Sequence, residues 1–86
     1  MQYRNDKMII SSQIRAARAA LGWSAAKLAS QCGLSLRTVQ SIENNEKPEG
    51  VRKSSMIALK ATLEAAGIEF IGAPDDGPGI RVRPAR

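Results

Sequence analysis

The chain contains no histidine, a single cysteine, Cys32, and one residue each of Trp, Tyr and Phe. Without histidine the usual general base and metal ligand is missing. The carboxylates are scattered or, as at Asp75-Asp76, adjacent in a turn-rich stretch, and no glycine-rich phosphate cradle is present. Enzymatic catalysis, a bound metal and a cofactor are therefore not expected. A lone cysteine has no partner for an internal disulfide, in keeping with a reducing compartment, and so few aromatics leave little material for a platform that stacks single-stranded bases. Apolar runs such as Met8–Ile10 fall far short of the roughly 18 residues of a membrane span, and no secretory signal pattern is visible. The expectation is a soluble, cytoplasmic protein without a membrane partner.

What the chain does have is positive charge. Thirteen Lys and Arg oppose eight Asp and Glu, for a formal charge of +5 and a pI near 10. That balance points to polyanionic partners, with nucleic acid ahead of a membrane surface. At 86 residues the chain is one small domain, with a core just large enough to fold without staples.

Read in order, residues 1–10 have mixed charge and no period, which predicts a loose arm with Ile9 or Ile10 touching the domain. Ser11 or Ser12 can cap a helix that runs to Leu21, with Ile14, Ala17 and Leu21 inward and Gly22 as the stop. Ser24 caps a second helix whose inward residues are Ala25, Leu28, Ala29 and Cys32, ended by Gly33. Ser35 caps a third, residues 36–44, closed by Asn44-Asn45, and residues 46–50, EKPEG, read as a loop. A fourth helix starts near Ser54, with Met56, Leu59, Leu63 and Ala66 at helical spacing, and stops at Gly67. Beyond it, IEFI and IRVR are short alternating runs separated by the turn formers APDDGPG. They predict a β-hairpin with Ile68 and Phe70 facing Ile80 and Val82. The fold class is thus mainly α: a four-helix bundle over residues 11–67 with a short C-terminal β-hairpin in 68–86.

Between Ala25 and Ile42, apolar residues stand at 28, 32, 34, 39 and 42, a small residue at 29 and a glycine at 33. Ala29 lets two helices cross closely, Gly33 permits a sharp turn, and the apolar set forms the wedge between them. On the third helix, Val39 and Ile42 share one side, while Arg37, Gln40, Ser41 and Asn44 form a polar stripe on the other. Through R-AALGWSAAKLASQCGLSLRTVQSIENN, residues 18–45, the chain resembles the helix-turn-helix repressors of the Cro/CI type, often called the XRE family. The resemblance implies a lambda repressor-like DNA-binding bundle from a bacterium or phage, acting on the nucleoid.

It also implies that residues 36–44 are a recognition helix lying in the major groove of double-stranded DNA. Leu36, Arg37, Gln40 and Ser41 then face base edges, with Thr38 and Asn44 nearer the phosphates. Arg can bond guanine in two places, Gln can do the same to adenine, and Leu36 can touch a thymine methyl. A merely solvated helix face is the plainer reading of the stripe, and Thr38 can equally pack beside the turn. Members of the family usually have Gln where this chain has Ala25, so one phosphate clamp is absent. The amides capped by Ser24 can still face a phosphate. Arg18 and Glu43 match a pair that forms an internal salt bridge in similar proteins. Trp23 is expected to seal the join of the first two helices and Cys32 to act as a small core residue. Lys47, Arg52 and Lys53, just past the recognition helix, are further candidates for phosphate contact.

Similar proteins bind as two-fold dimers because one recognition helix spans too few base pairs. The fifth helix that many relatives use for this is missing here. The hairpin, through Ile68, Phe70, Ile80 and Val82, is then either the element that joins a homodimer or a flap folded on its own bundle. The expected function is a sequence-specific regulator, a repressor occupying a two-fold operator. The alternative is an antitoxin or other protein-interaction module with secondary DNA binding and an unidentified protein partner, which a free tail would favour.

Overall fold

The computed structural model describes residues 9–44 and 52–83. Residues 1–8, residues 45–51, which include Asn45, the EKPEG stretch and Lys47, and the final three residues lie outside the described residues. Helix α1 spans Ser11–Leu21, α2 Ala25–Cys32, α3 Leu36–Asn44 and α4 Lys53–Ala65, and strands β1, Ile68–Ala73, and β2, Asp76–Val82, form an antiparallel hairpin. Among the described residues no helix is long and apolar enough to cross a membrane, and no group of acidic or cysteine side chains has the makings of a metal site.

The core is the set that helical spacing selected, with the arm and the hairpin added. Ile14, Ala17, Leu28, Ala29, Val39, Ile42, Leu59 and Leu63 are buried together with Ile9 and Ile68, and Leu21, Trp23, Ala25, Cys32, Leu34 and Met56 pack around them. Each fully buried leucine or isoleucine stabilises the fold by about 1.5–3 kcal/mol through the apolar surface removed from water.

The first helix begins differently from the sequence expectation. Its cap is the backbone of Ile10, whose N–H donates to Oε1 of Gln13 at 2.9 Å. Neither serine caps it, because the hydroxyl of Ser11 is engaged elsewhere: it donates to the Ile42 carbonyl at 2.6 Å, across the bundle. The second helix follows the expectation, with Ser24 Oγ accepting from the N–H of Lys27 at 3.0 Å. Between α2 and α3, Gly33 takes φ 75° and the N–H of Leu34 donates back to the Ala29 carbonyl at 3.0 Å. That left-handed glycine turn lets α3 leave at a sharp angle while the Leu34 side chain closes over the core. Helix α4 starts at Lys53, one residue before the serine that spacing suggested, with Arg52 as an N-cap that makes no side-chain bond.

Ile68 and Phe70 face Ile80 and Val82 as the alternation predicts, in the register Ile68 with Val82 and Phe70 with Ile80, but the strands reach further into the turn. The register slips between Ile71 and Ala73. Gly72 sits at the slip with φ 78°, where an added Cβ would lie 2.4 Å from the Gly77 carbonyl oxygen, so no other residue fits without moving the strands. The apolar side of the hairpin covers its own bundle, β2 lying along α1 and β1 on α4. Of the two roles open to the hairpin, the flap folded on its own bundle is the arrangement that this single chain shows. Ile68 belongs to the core, Phe70 and Ile80 pack half-buried against it, and Val82 alone is largely exposed, at 52%. The reason is geometric: only Ala66 and Gly67 separate α4 from β1, so Ile68 turns back into the buried cluster that holds Leu59 and Leu63.

Replacing the fully buried Leu59 by alanine should cost about 2–5 kcal/mol. The exposed Ile57 on the same helix should cost under about 0.5 kcal/mol. Urea denaturation followed by circular dichroism gives both, the first as a lowered midpoint at unchanged slope.

Candidate nucleic-acid interface

Helix α3 is nine residues long, too short to persist by itself in water, so its pose is set by what holds it. Val39 and Ile42 anchor one side in the core, and Glu43 is buried beside them. At the N-terminus, Ser35 Oγ accepts the N–H of Thr38 at 3.0 Å and donates its own proton to Thr38 Oγ1 at 2.9 Å. Thr38 is thereby tied into the cap and half-buried, with its own O–H left as a donor.

The C-terminal end is held by α1. Nε and Nη2 of Arg18 meet the two carboxylate oxygens of Glu43 at 2.8 and 3.0 Å, and Nη1 of Arg18 donates to the Trp23 carbonyl at 3.0 Å. One guanidinium thus joins α1, the α1–α2 junction and α3. The Glu43 side chain is 6% exposed and that of Arg18 26%, so the two-pronged geometry compensates a carboxylate removed from water. The Glu43 hydrogen bond raises the Arg18 guanidinium above its ordinary value, against a partial loss of solvent. Ser11 and Arg15 donate to the carbonyls of Ile42 and Glu43, groups that a helix terminus leaves without intrahelical partners.

With that side fixed, the opposite side of α3 is bare. Arg37, Gln40, Ser41 and Asn44 are exposed, and Leu36 at the start of the stripe is exposed to 41%. The only acid of α3 is Glu43, inside the protein, so the outward face presents donors and one cation with no carboxylate. Ser24 and the first amides of α2 are also at the surface, and Arg52 and Lys53 are exposed at the start of α4. Lys47 lies outside the described residues.

Lys27 is a cation that sequence reasoning passed over. Its Nζ stands 5.7 Å from the centre of the Trp23 ring, in the first turn of α2. The i, i+4 spacing of Trp23 and Lys27 was the available signal. Charges segregate along the chain. Lys60 is paired with Glu64 at 2.7 Å, and Arg81 and Arg83 with Glu69 at 3.2 and 2.7 Å. Among the described residues, Arg15, Lys27, Arg37, Arg52 and Lys53 have no ion-pair partner, and the guanidinium of Arg15 donates instead to the Glu43 carbonyl. Apart from Arg15, these lie between the start of α2 and the start of α4. Cys32 takes no part in this surface: burial pushes its thiol up from the ordinary value, and Sγ lies 3.7 Å from the Ala29 carbonyl.

Residues 14–50 match the helix-turn-helix family. No curated protein matches the chain.

Removing Arg18 leaves the Glu43 carboxylate buried and unpaired, so Arg18→Ala should cost about 3 kcal/mol. The double replacement Arg18→Met with Glu43→Leu should recover most of it. Thermal melts of the three proteins check this, and a double variant as unstable as the single would show that the ion pair itself is not what is lost.

Proposed function

We propose that the chain is a DNA-binding transcriptional regulator of the Cro/CI type, with the helix-turn-helix match of residues 14–50 as the premise, and that it reads double-stranded DNA in a sequence-specific way through α3. The observation that supports this most directly is the division of α3 into a side locked to the bundle and a side of exposed hydrogen-bonding groups. In this reading Arg37, Gln40 and Ser41 meet base edges in the major groove, with Leu36 against a thymine methyl. Ser24, Thr38, Asn44, Arg52 and Lys53 lie toward the phosphates, Lys27 joins them, and Lys47, by its charge and place in the chain, is assigned to the same role. The cations left without internal partners then find theirs on the backbone of the duplex, where counterion release makes binding salt-dependent.

Two copies on a two-fold operator give the discrimination that one short helix lacks, and occupancy of a promoter makes the protein a repressor. The copies meet through the hairpin at Val82, its exposed apolar residue. A role as an antitoxin-like interaction module finds less support, because residues 68–83 pack on the bundle rather than trailing from it.

Selection of binding sites from random duplexes tests the reading: a recovered palindrome supports it, and no enrichment rejects it. On the selected duplex Arg37→Ala should cost about 1–3 kcal/mol and relax one base position. Lys53→Ala should weaken all duplexes alike and flatten the salt dependence by about one unit of slope. Native mass spectrometry should give a dimer that Val82→Asp converts to monomer, whereas an unchanged mass would place the join elsewhere.

A further inference from the structure

Gln13 is 3% exposed, and both ends of its amide are engaged. Oε1 accepts the N–H of Ile10 at 2.9 Å, while Nε2 donates to the Ile71 carbonyl at 3.2 Å and to that of Gly79 at 2.9 Å. Ile71 and Gly79 are register partners on opposite strands, next to the slip at Gly72. One side chain therefore ties the entry of α1 to both strands of the hairpin. At 100° per residue, Ser11 and Arg15 lie on the opposite side of α1 from Gln13, and these two donate to the last turn of α3. The first turns of α1 are a strut between the hairpin and the end of the helix that faces DNA.

We infer that Gln13 is a positioning residue for DNA reading: by locking α1 to the hairpin it sets where Ser11 and Arg15 hold α3, and hence where Arg37, Gln40 and Ser41 stand. The inference rests on the DNA reading above. Shortening Gln13 leaves the Ile10 N–H without its acceptor and removes the amide that ties α1 to the carbonyls of both strands, so α1 and the hairpin are freed to shift against each other. Two-pronged base contacts have a tolerance of a few tenths of an ångström, whereas flexible side chains still follow the phosphates. The signature is loss of discrimination without loss of general affinity.

Gln13→Ala and Gln13→Glu, the latter keeping the acceptor and removing both donors, are compared on the selected duplex and a scrambled one, at a temperature where circular dichroism shows native helix content. The preference should fall about tenfold in both, with affinity for the scrambled duplex and its salt slope unchanged. Combined with Arg37→Ala, the loss should be smaller than the sum of the two, because the second change removes the contact that the first misplaces. Equal losses on both duplexes, or additive losses, would overturn the inference. Without DNA, Gln13→Ala should speed amide exchange over Val39–Asn44 while Leu28–Cys32 keep their native rate. Unchanged exchange over α3 would overturn the coupling even with an operator in hand. A native chain that prefers no duplex defeats the DNA reading instead, and exchange then decides the coupling alone.

Discussion

The buried carboxylate of Glu43 is the group around which the helices are arranged. A charge held away from water needs a partner of fixed geometry, and the planar fork of Arg18 meets both oxygens from the neighbouring helix. Because the same guanidinium also binds the Trp23 carbonyl, the pair fixes three segments at once: the body of α1, the bend into α2 and the end of α3. Removing either partner alone would leave the other stranded, so the contact constrains geometry more than it adds stability.

From that constraint comes the asymmetry of α3. A helix of nine residues has little stability of its own. Here Val39 and Ile42 pin it from below, the Ser35 hydroxyl closes its first turn, and donors from α1 close its last. None of these interactions uses Arg37, Gln40, Ser41 or Asn44, so the groups able to read a base are free and rigidly presented. The sole acid of the helix is neutralised internally, which removes the one charge that would repel a phosphate backbone.

The hairpin adds a second support. Its apolar side completes the core through Ile68, Phe70 and Ile80, which a two-stranded ribbon requires to be stable in water. Its outer side neutralises its own arginines with Glu69. Among the described residues, the cations bound to neither a carboxylate nor a carbonyl, Lys27, Arg37, Arg52 and Lys53, then lie from the start of α2 to the start of α4.

Much of this was legible in the chain itself, for a physical reason: helix period, caps and turns are local. The apolar spacing gave Leu28, Val39, Ile42, Leu59 and Leu63 as core, Ser24 and Ser35 as caps, Gly33 as the turn, and the polar stripe of α3 as its free side. Alternation placed Ile68 and Phe70 opposite Ile80 and Val82, and the structure set the register, Ile68 with Val82 and Phe70 with Ile80. Tertiary structure alone decided where those faces went. The hydroxyl of Ser11 left its expected capping role for a carbonyl 31 residues away, and the amide of Gln13 reached strands 58 and 66 residues along the chain. Polar contacts over such separations have no periodic signature, since they depend on which backbone groups the packed helices leave without partners. The destination of the hairpin was open for the same reason. Its pattern states that one side must be covered, and only the packing of α4 onto Ile68 determines by what.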